Sequence, residues 1–287
     1  MRAGSLRGKT IFVSGASRGI GLAIALRAAR DGANCVVAAK TAEPHRHLPG
    51  TIHTAAAEVE RAGGKALPLL LDIRDEQAAA RAFEEAASHF GGIDIVVNSA
   101  SAISRTPVGD TEPKRYDLMH DINARGTFMV SRAAVPYLRK SANPHVLTLS
   151  PPINLDPKCF AGNVAYTMSK YAMSMVVMGM AEEFREEGIA FNALWPRFGI
   201  ATAAIEFAAA DADQLRMCRT PEIMADAAYA IVTRPSRQCT GNFFIDDSLL
   251  FEEGERDFAR YKVDADARSL RPGLYLSEMN AAPPGIM

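Results

Sequence analysis

Tyr166 and Lys170 stand four residues apart in the run Tyr166-Thr167-Met168-Ser169-Lys170. On a helix that spacing places two side chains one turn apart on the same face. A cation beside a phenol favours its ionised form, so the pair predicts a tyrosine able to exchange a proton near neutral pH. Tyr and Lys also meet at this spacing on ordinary surface helices, so the pair gains meaning only from its company. That company is a glycine-rich run about 150 residues earlier, Gly15-Ala16-Ser17-Arg18-Gly19-Ile20-Gly21. Glycines there allow positive φ and close approach to phosphate oxygens, and a helix that starts there offers its amide-rich positive end to an anion. The spacing is G-x-x-x-G-x-G rather than the broader G-x-G-x-x-G fingerprint. Without a ligand the same run would serve as a tight strand–helix turn.

These groups need elements to hold them, and the chain supplies a regular alternation. Short apolar runs at Thr10–Ser14, Asn34–Ala39, Ala66–Leu71, Ile93–Val97, His145–Leu149, Ile189–Leu194 and Asn242–Ile245 predict strands. Between them, helices are expected over Ile20–Arg30, Thr54–Ala62, Asp75–Phe90, most of Pro113–Leu138, Tyr166–Glu187 and Pro221–Thr233. Strands alternating with helices imply a single α/β domain of the Rossmann type. Its sheet would be doubly wound, mostly parallel and seven-stranded, with helices on both faces. Such sheets bind ligands beyond the carboxyl ends of their strands, where strand order reverses. Residues 1–250 are expected to form this domain. Residues 251–287 lose periodicity and read as an extension over the surface with a frayed end.

Composition excludes several functions. The 287 residues are 48% hydrophobic and 23% charged with a net charge of −1, which gives no electrostatic case for nucleic acid or an anionic membrane. No apolar run reaches the roughly 18 residues of a membrane span. The first strand begins near Thr10, which leaves no room for a removable leader, and the ending Gly285-Ile286-Met287 is no Ser-Lys-Leu address, so a cytoplasmic location is expected. Cys35, Cys159, Cys218 and Cys239 are scattered, as in a reducing compartment. His45, His47 and His53 lack acidic or cysteine neighbours, so no metal site is expected.

An acid about 20 residues past the glycine loop would bond the ribose 2′-hydroxyl of NAD. Here the second strand ends Ala38-Ala39-Lys40-Thr41, and Lys40 and Arg18 can meet a 2′-phosphate. NADP(H) is therefore the preferred cofactor, with NAD(H) also admissible; the alternative leaves Lys40 a solvated surface cation.

Together these pieces make the chain resemble the short-chain dehydrogenase/reductase family over roughly residues 7–247. The matching pieces are Gly15, Gly19 and Gly21, Asp72-Ile73, Asn98-Ser99-Ala100-Ser101, Asn123, Tyr166 with Lys170, Trp195-Pro196 with Thr202, and Thr240-Gly241-Asn242. The stretches AAKTAEPH, SASAIS, LSPPINL, KYAMSM and NALWP are similar to its hydroxysteroid-dehydrogenase-like branch. Some members of that branch carry a sterol-carrier domain, before which this chain is expected to end. The resemblance implies that Asp72 and Ile73 meet the adenine, Asn98 lines the adenosine side, and Lys170 binds the nicotinamide ribose. It implies that Pro196 and Thr202 hold the carboxamide, and that Asn123 holds a water linking Lys170 to solvent. Otherwise Asp72 is a helix cap, and Asn98 and Asn123 satisfy backbone groups.

The pattern breaks at the family's catalytic serine. Ser150 precedes Pro151, which falls where that serine is expected and offers neither hydroxyl nor N–H. The gap to Tyr166 is also long. The donor to the reacting oxygen is then Ser150, Asn154 or absent. Cys159 is more simply a packing residue than a pocket one, and the methionines Met168, Met173, Met175, Met178 and Met180 suit core or subunit packing. The neutral residues Ile153, Leu155, Phe160 and Phe207 lean the substrate pocket towards a lipid-like molecule. The expected protein is an NADP-dependent oxidoreductase that moves hydride between nicotinamide and a carbonyl or secondary alcohol of a small molecule, assembled as a homodimer or homotetramer. Its rivals are a non-catalytic NADP-binding sensor or scaffold and an enoyl-thioester C=C reductase.

Overall fold

Successive side chains of a strand point to opposite faces, so a strand apolar throughout must be covered on both. β1 (Thr10–Ser14) is such a strand, buried along its whole length. Ile11 and Val13 enter one core layer, while Phe12 enters the other and stacks on Phe83 at 4.2 Å. The computed structural model describes residues 5–44, 46, 48–203, 213–276, 280–283 and 286. β1 is followed by α1 (Gly19–Ala29), β2 (Asn34–Ala39), α2 (Ile52–Arg61), β3 (Lys65–Leu70), α3 (Glu76–Phe90) and β4 (Ile95–Asn98). Then come α4 (Pro113–Met119), α5 (Thr127–Leu138), β5 (His145–Thr148), α6 (Val164–Glu183), β6 (Ala190–Trp195), α7 (Glu222–Val232), β7 (Phe243–Ile245) and α8 (Asp246–Glu252).

The sheet order is β3-β2-β1-β4-β5-β6-β7, and every pairing is parallel. The crossovers through α1 and α2 cover one face on one side of β1 and those through α5 and α6 cover the other face beyond it, which makes the sheet doubly wound. Between β6 and β7, α7 returns to the α1/α2 face with the opposite hand. α1, α2 and α7 pack one face through Ile24, Ala28, Val59, Ile223 and Ile231. α3, α5 and α6 pack the other through Phe83, Val130, Leu138, Val177 and Met180. The order reverses between β1 and β4, and there the crevice opens.

Element ends shift by a few residues from expectation, mostly for capping reasons. Thr51 and Thr54 form a reciprocal capping box that starts α2 earlier than Thr54. Asp75 caps α3 by accepting from Ala78 N, so Asp72 is not the cap. Pro113–Leu138 is broken by a π-helical turn at His120–Gly126 between α4 and α5. Past Asp247 the chain keeps regular structure, with α8 and a 3₁₀ turn at Ala259–Tyr261. Among the described residues no helix is long and apolar enough to cross a membrane.

Candidate functional site

A cleft of about 520 Å³ runs along the carboxyl ends of the strands. It gathers thirteen of the sixteen residues expected at the site: Gly15, Ser17, Arg18, Gly19, Ile20, Gly21, Lys40, Asp72, Ile73, Tyr166, Lys170, Pro196 and Thr202. Asn98, Asn123 and Ser150 are absent from its walls.

The glycine loop forms one side. Gly15 and Gly19 hold positive φ, 72° and 60°. A Cβ on Gly15 would come within 2.7 Å of the Ala100 backbone, and one on Gly21 within 2.6 Å of the Gly15 carbonyl oxygen. At Gly15 and Gly21 the loop is thus folded on itself and on the segment after β4 too tightly for a side chain. Gly21→Ala has backbone as its obstacle, so it should cost roughly 1–3 kcal/mol of stability, read as a lowered urea midpoint at constant m. An unchanged midpoint would show that the loop can open without loss.

Lys40 and Asp72 sit at the far end of the cleft. A hydrogen bond from Arg74 holds the Asp72 carboxyl below its ordinary range, with help from Lys40. Arg18 spans the loops: its Nε donates to the Pro49 carbonyl at 2.7 Å and its terminal nitrogen to that of Gly50 at 2.9 Å. This ties the segment before α2 to the glycine loop.

At the opposite end α6 presents Tyr166 and Lys170 to the cleft, as the i, i+4 spacing requires. The electrostatics differ from expectation. Burial, reinforced by nearby Tyr275, pushes the Tyr166 phenol above its ordinary value, and Arg105 only partly opposes this. Burial lowers Lys170 to about 7. Its Nζ donates to the Leu149 carbonyl at 2.6 Å and to Met173 Sδ at 3.2 Å, and lies 5.2 Å from the Trp195 ring centre. The expected lowering of the phenol is therefore corrected for this state, because desolvation by burial dominates. The Tyr166 hydroxyl makes no hydrogen bond among the described residues.

Three placements need correction. Asn98 is buried beneath the cleft floor, where its Nδ2 donates to Ser131 Oγ at 2.9 Å and Thr148 Oγ1 at 3.3 Å. The cleft is lined instead by its successors Ser99 and Ala100. Asn123, in the π-helical turn, is fully buried, and its side chain is spent within the protein. Its Oδ1 accepts from Ala102 N and Ser101 Oγ, and its Nδ2 donates to the Ala102 carbonyl and Ser169 Oγ. It thereby pins the loop after β4 to the helix carrying Tyr166, and leaves no side-chain atom for a water. Ser150 is fully buried with an unpartnered Oγ among the described residues, and its backbone N–H donates to the Thr148 carbonyl. Asn154 fares no better: its side chain and backbone bond Asp156, Tyr171 and Tyr275.

The apolar wall was also misassigned. Ile153, Leu155 and Phe160 lie outside the cleft, with Leu155 on the surface and Phe160 edge-on to Tyr171. Phe207, His45 and His47 lie outside the described residues. The wall is built from Ala102, Ile103, Leu118, Ile122, Trp195 and Leu274. Leu274 comes from a segment that sequence reasoning treated as a surface covering. Its backbone carbonyl accepts from Trp195 Nε1 at 3.0 Å, and Tyr275, at φ 74°, packs on Trp195 and Tyr171 with its hydroxyl 3.2 Å from Thr167 Oγ1. Gly273 donates its N–H to the Arg197 carbonyl, with no room there for a Cβ. The one available signal was Arg271-Pro272-Gly273, a turn sequence ahead of two large apolar residues.

A strand-end crevice, a closed glycine loop and a Tyr/Lys helix define a fold of the dinucleotide-binding type, and the comparisons place it in a family. The chain belongs to the short chain dehydrogenase family, whose model matches residues 9–212. It is 54% identical over 275 residues to hydroxysteroid dehydrogenase-like protein 2 of Xenopus tropicalis, an alignment that takes in 96% of this chain and 65% of that protein. The chain thus spans just under two thirds of that curated relative. A putative dehydrogenase from Xanthomonas campestris superposes with a TM-score of 0.92 at 51% identity, over 96% of this chain and 100% of that one. A short chain dehydrogenase from Mycobacterium thermoresistibile gives 0.91 at 48%, over 98% and 99%.

Proposed function

We propose that this chain is an NADP(H)-dependent oxidoreductase acting on a carbonyl or secondary alcohol within a largely apolar molecule. The observation that carries the reading is that Tyr166 and Lys170 share one cleft with the glycine loop. The residues fit a dinucleotide. The exclusion of a Cβ at Gly15 and Gly21 keeps the backbone there close, and would leave the loop's N–H groups and the start of α1 to meet a pyrophosphate. Ser17, Gly19 and Ile20 would surround it, Asp72 and Ile73 would take the adenine, and Lys170, Pro196 and Thr202 the nicotinamide end. When bound, nicotinamide supplies or accepts the hydride.

Tyr166 gives a proton to the carbonyl oxygen in reduction and recovers it in oxidation. Its buried phenol favours the protonated form, which suits the donor role. Lys170, at about 7, is poised to lose or gain a proton near neutrality, and its Nζ would meet the ribose hydroxyls of a bound nucleotide. Asn123 acts as a positioning residue that fixes the cleft loop to α6. Exposed Phe128 on α5 and Met168, Met175 and Met178 on α6 support self-association through these helices.

The test is loss of reduced-nicotinamide absorbance with a panel of apolar ketones; a panel inert with both cofactors rejects the reading. Burial of Ser150 away from the cleft favours a second reading, reduction of a C=C bond, which product identification separates. Cofactor choice rests on Lys40, which is exposed at the end of β2 with no acid beside it in the strand. Lys40→Glu should weaken NADPH binding about 10-fold or more while changing NADH binding far less, because it replaces an attraction to the 2′-phosphate by a repulsion. Equal weakening of both, in a fluorescence titration, would remove Lys40 from the selection.

A further inference from the structure

The cations lining the cleft are not equally free. Arg18 is spent on the Pro49 and Gly50 carbonyls, and Lys170 on the Leu149 carbonyl. Arg271 donates to Gln214 Oε1 at 2.9 Å, and Lys40 stands at the opposite end beside Asp72. Arg105, on the loop between β4 and α4, is different. Its Nε donates to Asn163 Oδ1 at 3.2 Å, and its two terminal nitrogens have no partner among the described residues. Asn163 precedes Val164, the first residue of α6, so the guanidinium is tethered at the positive end of the helix that carries Tyr166. Arg105 lines the same cleft as Tyr166, and its charge is felt by both Tyr166 and Tyr275. The only carboxylate lining the cleft among the described residues, Asp72, is at the far end. Around Arg105 the walls are apolar: Ile103, Leu118, Ile122, Trp195 and Leu274.

We propose that Arg105 is a specificity-determining residue that docks a carboxylate on the substrate, so that the preferred substrate is an apolar oxo or hydroxy acid. A guanidinium with two free NH₂ groups at the mouth of an apolar cleft matches a molecule with a greasy body and one planar anion. This rests on the oxidoreductase reading and deepens it.

The probes are long-chain keto acids that differ in ketone position, each paired with its methyl ester. Trp195 is the chain's single tryptophan and lines the cleft, so its fluorescence reports binding whether or not turnover follows. The wild-type protein, with NADPH bound, should favour acid over ester by about 10-fold or more in both Kd and kcat/KM. In Arg105→Leu the acid-to-ester ratio should fall to about one, and Arg105→Lys should restore part of it. An acid preference in binding without turnover of either probe would reject the redox reading and leave the carboxylate site standing. Equal binding of acid and ester by the wild type, or a preference that survives Arg105→Leu, overturns the proposal. A stronger preference for the same acyl chain on a phosphopantetheine carrier would assign the anion to phosphate and overturn it too.

Discussion

Tyr166→Phe should lower kcat on any ketone the wild type reduces by about 10²–10⁴-fold, the usual contribution of a positioned proton donor. The same variant should keep its Kd for NADPH and its thermal midpoint. The Tyr166 hydroxyl bonds no described residue, so its removal orphans no partner, while the ring keeps its place among Met119, Ala165, Tyr171 and Tyr275. A loss confined to kcat would identify an interaction made only in the transition state. An unchanged kcat would end the proposal that this phenol moves the proton. A lowered midpoint would instead assign the hydroxyl a structural role. Lys170 behaves differently, because its Nζ is itself a donor to the Leu149 carbonyl. Removing it strips a partner from a buried acceptor, so Lys170→Met would mix chemistry with stability in a way Tyr166→Phe does not.

The fold was legible because its signals are periodic and local. Apolar strands of four to six residues, each followed by a helix, leave few topologies for a parallel sheet covered on both faces. The glycine loop and the Tyr166/Lys170 pair were legible for the same reason: each is a fixed spacing on one element. Asn98, Asn123 and Ser150 failed where the question was which way a side chain points at the end of a strand or inside a distorted helix. Asn98 and Ser150 differ from their cleft-lining neighbours by a single residue, and one step along an extended chain turns a side chain to the other face. Asn123 sits in a π-helical turn, whose altered pitch no 3.6-residue pattern could announce. The Leu274 wall failed for another reason. It reaches the cleft through irregular backbone bonds from Arg271 to Tyr275, which carry no periodicity at all.

That wall is held by a buried charge cluster, and Asp247→Asn should break it at a cost of roughly 3–5 kcal/mol. Asp247 is wholly buried and bonds Arg197 Nε at 2.8 Å through Oδ1 and Arg219 at 3.0 Å through Oδ2. Arg219 is also wholly buried and donates to the Ile286 carbonyl at 3.2 Å; Arg197 donates to the Asn280 carbonyl and to Ser248 Oγ. Two guanidiniums thus fasten the C-terminal segment to the loop after β6, and they share one carboxylate between them. Asp246 cannot take over. Its Oδ1 is already bonded to the backbone N–H groups of Arg197 and Asp247, and its carboxyl, pushed up to about 7 by burial with the charge of Asp247 adding to it, is still raised by burial when that charge is removed. A carboxyl raised in the folded state stabilises fully below its unfolded value near 4, and that contribution is lost as pH rises through about 7. Asp246→Asn keeps an acceptor oxygen for both N–H groups, so near pH 7 it should cost far less and should remove that slope. Urea midpoints of the two variants across pH 4–8 make the comparison. Equal losses would mean that packing of Leu274 and Tyr275, rather than the Asp247 charge, holds the wall in place.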